Sequence, residues 1–154
     1  MRFPIIDITK IKKPKRTVFC VFLHCSASDN PAHDTAETID RWHKERGWAG
    51  IGYHFFIRKD GTIQAGRDLE KVPAAQKGRN TGSIAICVHG LNKGMFTADQ
   101  RASVKALCIT LNKIYGNSLT FHGHCEVEPN KSCPVFDYRD WLGLDKSGRM
   151  KVTT

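Results

Sequence analysis

The chain predicts an α/β domain in which a central mixed β-sheet is flanked by α-helices. Strand-like and helix-like segments alternate along it. Two apolar runs, 17–23 and 83–88, have the continuous β-branched and aromatic character of strands buried on both faces. An Asp60-Gly61 turn joins two shorter runs as a hairpin, which adds an antiparallel pair. At 154 residues and 40% hydrophobic content the chain can bury one real core, and one domain is the expectation.

Residues 1–16 form a basic, proline-punctuated lead-in. The run Thr17-Val18-Phe19-Cys20-Val21-Phe22-Leu23 reads as a buried central strand and leaves His24 at its carboxyl end, where reacting groups gather in open α/β sheets. After a polar loop, Asp34 with Glu37 makes a capping-box-like start to a helix carrying Ile39, Trp42 and Arg46 at helical spacing, with Gly47 as its stop. Ile51 to Ile57 and Thr62 to Gly66 are the hairpin strands, and Leu69 to Gly82 reads as loop. Ser83 to Val88 is the second buried strand. Thr97 to Gln100 is a capping box for a long amphipathic helix with Val104, Leu107, Cys108, Leu111 and Ile114 on one face and Gly116 as its end. A short strand, Leu119 to Phe121, leads to a histidine-rich segment, and Phe136 to Leu142 reads as a last short helix. The boundaries that follow are a basic arm over 1–16, one domain over 17–143 and a frayed tail over 144–154, with no internal repeat.

Lys and Arg number 24 against 15 Asp and Glu, a formal charge of +9. That balance favours a polyanionic partner but does not choose among nucleic acid, anionic membrane and acidic wall polymer. No helix-turn-helix or aromatic-basic signature accompanies the charge, and the Lys10–Arg16 run reads as a solvated arm. No stretch approaches membrane-spanning length and the first residues lack a signal-peptide pattern, so synthesis in the cytoplasm with six reduced cysteines is expected. Cys20, Cys87 and Cys108 lie in apolar runs and read as small core residues.

Three segments far apart in sequence carry metal-ligand chemistry: His24, the Gly123-His124 pair and Cys133-Pro134. A catalytic zinc takes three nitrogen, sulfur or oxygen ligands from the protein and keeps a position open for water. Both histidines follow strands, and Pro134 restricts the cysteine before it. The spacing of 24, 124 and 133 is no local zinc pattern, however, and His122 competes with His124. The residues alone leave the ligand set open.

Six blocks in order add a resemblance: Phe22-Leu23-His24-Cys25-Ser26-Ala27, Arg41-Trp42-His43-Lys44-Glu45-Arg46-Gly47-Trp48, Ile51-Gly52-Tyr53-His54-Phe55, Asp60-Gly61-Thr62, Ala65-Gly66-Arg67 and Lys131-Ser132-Cys133-Pro134. Over roughly residues 17 to 143 the chain resembles the type 2 N-acetylmuramoyl-L-alanine amidases of the peptidoglycan-recognition fold, and among them the small zinc endolysins of the T-seven phage lysozyme type. The resemblance implies Zn2+ held by His24, His124 and Cys133, with Tyr53 and Lys131 as catalytic residues. His124 is preferred over His122 because it follows Gly123 as in the family's Gly-His block. Cys125 stands where relatives often carry a second histidine, and Gln76 stands where many have Ser-His-Ala, which removes any substrate contact by that histidine. His54, pointing away from Tyr53 on a regular strand, and Glu126 are expected as neighbours of the site only.

The implied activity is hydrolysis of the amide between N-acetylmuramic acid and L-alanine in peptidoglycan. The implied setting is a monomeric phage or prophage endolysin that reaches the wall after membrane permeabilisation. One rival is a peptidoglycan-binding module without activity, but members that lose activity typically lose the cysteine ligand, and Cys133 is present. A phage RNA polymerase, bound by one endolysin of this type, is the expectation for a second partner.

Overall fold

In the computed structural model, which describes residues 3–151, five strands make one mixed sheet. They are β1 (Cys20–Cys25), β2 (Phe55–Ile57), β3 (Ile63–Ala65), β4 (Ser83–Val88) and β5 (Thr120–Gly123), in the spatial order β3-β2-β4-β1-β5. Only the β2–β3 hairpin is antiparallel; β2–β4, β4–β1 and β1–β5 are parallel. Every residue of β1 and of β4 is buried, as continuous apolar runs require when both faces are covered.

Side-chain alternation sorts the core into two layers. Val21, Leu23, Ile84, Ile86, Val88, Phe55, Ile57 and Phe121 face α2 (Ala98–Ile114) and α3 (Tyr138–Leu142), where Val104, Leu107, Leu111 and Trp141 meet them. Each such aliphatic side chain contributes about 1.5–3 kcal/mol by leaving water. On the opposite face Phe56 and Cys87 pack with Ala36 and Ile39 of α1 (Ala36–Glu45) and with Ile51. Phe22 and His24 share the parity of this second face. The register Phe22↔His122 and Leu23↔Gly123 sets β5 beside β1, so the chain leaves both strands at the same end of the sheet.

Thr97 caps α2 with the full reciprocal box to Gln100, as expected. The start of α1 differs from expectation: Thr35, not Asp34, is the cap, accepting from Thr38 N–H. The Asp34 carboxylate instead accepts from the Lys59 backbone N–H of the hairpin at 3.1 Å. A tertiary acceptor role outcompeted the local one, and a one-residue shift in the cap moved the helix start with it.

Both ends of the described chain are more ordered than expected. Residues 4–6 run along β3, with Ile6 N–H donating to Ile63 O at 2.9 Å and Ala65 N–H to Pro4 O at 2.9 Å. Ile6, Ile8 and Ile11 pack on the core. Arg16 is a tie rather than a solvated charge: Nε donates to Leu69 O at 2.6 Å and an Nη to Ser83 O at 2.9 Å. Instead of fraying, residues 144–150 close a turn through a Leu144–Met150 bridge, and Gly148 O accepts from Phe121 N–H of β5 at 2.8 Å. The rest of the expected tail, residues 152–154, lies outside the described residues.

His54 and His43 are buried and neutral. His54 Nδ1 accepts from Ala85 N–H at 3.1 Å while Nε2 lies 2.8 Å from Lys71 O, an acceptor-only partner that places the proton there. Burial pushes His54 down to about 4, against the Lys71 bond, and burial with Arg46 nearby does the same for His43. Unfolded histidine takes up a proton near 6.5, whereas these two resist until about 4. Their contribution to stability is therefore complete above about 6.5 and is lost as pH falls toward 4. The urea midpoint of the metal-free protein should fall steadily from pH 7 to pH 4.5. His54→Gln should flatten that dependence and cost about 1–3 kcal/mol at pH 7 through the orphaned Ala85 N–H. A midpoint unchanged over the range would contradict this account.

Candidate metal centre and active site

His24, His124 and Cys133 offer ligand atoms that all lie within 4.8 Å of one another. They arrive from three elements. His24 is the fifth residue of β1, and parallel pairing brings the Gly123-His124 exit of β5 alongside, with the two imidazole centroids 4.6 Å apart. Gly123 is required by close approach: a Cβ there would stand 2.5 Å from the Tyr138 ring and 2.9 Å from Pro134 Cδ. Cys133 is tied in by its backbone, its carbonyl accepting from Cys125 N–H at 2.8 Å, and its Sγ accepts from Cys25 N–H at 3.1 Å. The Cys133-Pro134 peptide is cis.

The donor set fits a zinc ion. Ligands 2.0–2.3 Å from one tetrahedral ion are ~3.5 Å apart, so a cluster within 4.8 Å needs only small adjustments. His24 is fully buried, and its Nδ1 has no hydrogen-bond partner among the described residues, an unusual condition for an imidazole nitrogen. Burial, with His124 beside it, pushes His24 down to about 3, against its hydrogen bond to the Gln76 amide oxygen, so it is neutral and able to ligate. His124 Nε2 lies 2.8 Å from Glu128 Oε1, the carboxylate–histidine arrangement that orients metal-binding imidazoles. That bond, first, and the charges of His124, Lys131 and Lys77 hold Glu128 below the usual carboxylate range.

The two cysteines compete for a proton. A hydrogen bond from Cys133 draws the Cys25 thiol down to about 7, while the same bond and burial push Cys133 up. A cation at the cluster would reverse that order, since thiolate is the ligating form and Cys133 already receives the Cys25 N–H. All six cysteines are free, with Cys20, Cys87 and Cys108 buried in the core as expected.

The other expected site residues divide. Tyr53 stands against the cluster, its ring centroid 5.0 Å from that of His24 and 5.4 Å from His43. Burial, with Cys87, Cys133 and Cys25 nearby, raises its phenol well above the ordinary range, which keeps the O–H as a donor. Its backbone is fixed by Arg67 N–H, which donates to Tyr53 O at 2.8 Å, and by Gly66, where a Cβ would meet that oxygen at 2.5 Å. Lys131 stands exposed on the loop before Cys133, its N–H donating to Glu128 O at 2.8 Å. His122 is outside the cluster and pairs with Thr120 Oγ1 at 2.8 Å and Glu126 at 3.1 Å. Glu126 touches neither His124 nor Cys133 in any described hydrogen bond. It accepts from Gly123 N–H at 2.9 Å and from the Tyr138 hydroxyl at 2.5 Å, bracing the loop instead. His54 faces away from Tyr53, onto Arg16, Lys71 and Ala85.

Sequence reading missed Gln76. Treated there as a lost contact, it is fully buried with Oε1 2.9 Å from His24 Nε2. Only its position in the loop that precedes β4 hinted at the site, and nothing in the loop's composition points to His24.

The family model described as N-acetylmuramoyl-L-alanine amidase matches residues 14–136. The endolysin of Enterobacteria phage T3 is 41% identical over 135 residues, covering 84% of this chain and 88% of that one. The endolysin of Escherichia phage T7 is 39% identical over the same shares. Among solved structures, the endolysin N-acetylmuramoyl-L-alanine amidase LysCS from Clostridium intestinale URNW superposes with a TM-score of 0.74 at 33% identity, covering 83% of each chain. With the fold, the clustered His, His and Cys and these matches together, the chain belongs to the N-acetylmuramoyl-L-alanine amidase family.

Proposed function

We propose that this chain is a phage or prophage endolysin that uses a zinc ion held by His24, His124 and Cys133 to hydrolyse the amide between N-acetylmuramic acid and L-alanine. The single observation that carries the metal assignment is the three-ligand cluster, whose His24 is fully buried with an Nδ1 that has no hydrogen-bond partner among the described residues. His24, His124 and Cys133 would hold the zinc, which when bound would supply a water of lowered pKa, toward about 7, and Lewis-acid polarisation of the scissile carbonyl. Tyr53, kept as a phenol, donates to the carbonyl oxygen as negative charge develops on it. Lys131 brings a positive charge to the same oxygen from the loop rim. Glu128 holds His124 in orientation and neutralises excess charge near the two lysines.

The amidase domain is taken as residues 17–143, inside which most of the family match falls. No helix among the described residues is long and apolar enough to cross a membrane. Synthesis in the host cytoplasm and action on the wall after membrane permeabilisation suit that. A monomer, and a phage RNA polymerase as second partner, are carried by the endolysin resemblance alone; sizing of the pure protein, and its mixing with such a polymerase, test the two.

Metal analysis should find one zinc per chain. Cys133→Ser and His24→Ala should lose both metal and activity with circular dichroism near that of the unsubstituted protein, while His122→Ala should keep its zinc. Stoichiometric zinc in the His24→Ala protein would overturn the ligand set.

Lys131→Ala and Tyr53→Phe should keep full zinc occupancy and near-normal retention on peptidoglycan. Turnover should fall by on the order of a hundredfold or more, about 3–4 kcal/mol for a lost oxyanion donor, in kcat rather than in binding. Unchanged turnover in Lys131→Ala would make that residue a surface lysine.

Digestion of purified peptidoglycan should release stem peptides with a free L-alanine amino group and leave the glycan intact. A glycosidase needs two carboxylates flanking the scissile bond, and the cluster presents only Glu128, already engaged by His124. New reducing ends without new amino groups would refute the amidase reading.

A further inference from the structure

The loop before β4 carries a polar side chain in an unusual place. Asn80 Oδ1 accepts from Ala75 N–H at 3.1 Å and from Gln76 N–H at 2.9 Å, and Arg79 N–H donates to Gln76 O at 2.9 Å. This tight turn drives the Gln76 side chain inward, where it is fully buried.

The partners of its carboxamide settle which end is which. One end lies 3.1 Å from Arg79 O and 2.7 Å from Ser83 Oγ. A backbone carbonyl can only accept, and the Ser83 hydroxyl already donates to Asn80 O at 2.8 Å, so both partners need a donor and this end is the NH2 group. The other end, 2.9 Å from His24 Nε2, is therefore the amide oxygen, which can only accept. It follows that His24 Nε2 carries the hydrogen. In a neutral imidazole the lone pair then sits on Nδ1, the buried atom without a partner among the described residues.

We propose that Gln76 is a positioning residue that locks His24 in the Nε2–H tautomer and so presents its Nδ1 lone pair to His124 and Cys133. The chain of hydrogen bonds runs Asn80 O, Ser83 Oγ, Gln76, His24, each with one possible direction of donation. His124 is oriented by the charged Glu128, on the partly open side of the cluster. His24 is oriented by a neutral amide on the dry side, where a carboxylate would add a desolvation cost. The site thus holds its two imidazoles by the same principle with acceptors matched to their surroundings. The effect on metal affinity rests on the proposed zinc site, whereas the tautomer does not.

The test uses the full chain. Long-range nitrogen–proton NMR on the metal-free protein near pH 7.5, with the His24 signals assigned by their loss in His24→Ala, should show His24 protonated at Nε2. Gln76→Met removes the acceptor at similar volume. It should abolish that preference and raise the zinc dissociation constant, measured by competition with a chromophoric chelator, by about ten- to a hundredfold. Gln76→Glu keeps an acceptor toward His24 but sets its second carboxylate oxygen against Arg79 O and Ser83 Oγ, which both need a donor, so it should retain the Nε2–H tautomer while losing stability, a separation that a merely packing role would not produce. His24 found as the Nδ1–H tautomer, or unchanged zinc affinity in Gln76→Met, would overturn the proposal. Should Gln76→Met fail to fold, the spectrum of the unsubstituted protein decides alone. An Nε2–H tautomer in a protein that binds no zinc would support the positioning role and sink the metal centre, while tight zinc binding with Nδ1–H would do the reverse.

Discussion

The site depends on the parallel pairing of β1 with two neighbours at once. β1 lies between β4 and β5 with every residue buried, so the chain can carry a polar group there only at its carboxyl end and only if that group is paired. His24 meets that condition on Nε2, through Gln76, and leaves Nδ1 without a hydrogen-bond partner among the described residues. The same register that buries Phe22 beside His122 delivers His124 next to His24 without any flexible reach. The closeness of His24 and His124 is thus a by-product of sheet register, and a slip by one residue would send His24 to the face of α2.

The features legible from sequence are those whose cause is local. The span of β4 matches its apolar run residue for residue, the Thr97 box marks the start of α2, and the Asp60-Gly61 turn sits between β2 and β3. Resemblance supplied the His24, His124 and Cys133 set that the spacing left open, and the structure brings those three together. What escaped was decided across long sequence separations. Asp34 gave up a capping role for a contact 25 residues away, and Arg16 left its charge run to bind carbonyls 53 and 67 residues on. Gln76 reaches His24 across 52 residues, from a loop whose turn chemistry says nothing about where its side chain ends.

Charge in this protein is divided between surface and site. The formal charge of +9 is carried by side chains that are mostly solvated, whereas the interior around His24 is built from a phenol, imidazoles, a carboxamide and cysteines rather than from lysines and arginines. In such a low-dielectric pocket any cation or developing negative charge is felt strongly, because little water screens it. Tyr53 and the open end of the cluster lie where that sensitivity is greatest.

The sheet has two outer strands, and each shares a backbone hydrogen bond with a segment lying beyond the five-stranded order. Residues 4–6 run antiparallel to β3, and the turn at Gly148 reaches Phe121 of β5. Open edges are templates on which a second molecule can add a strand, which is a route to aggregates and fibres. Here the flanking segments occupy the positions a neighbour would need, so shortening the chain at either flank would bare a strand edge and cost colloidal stability.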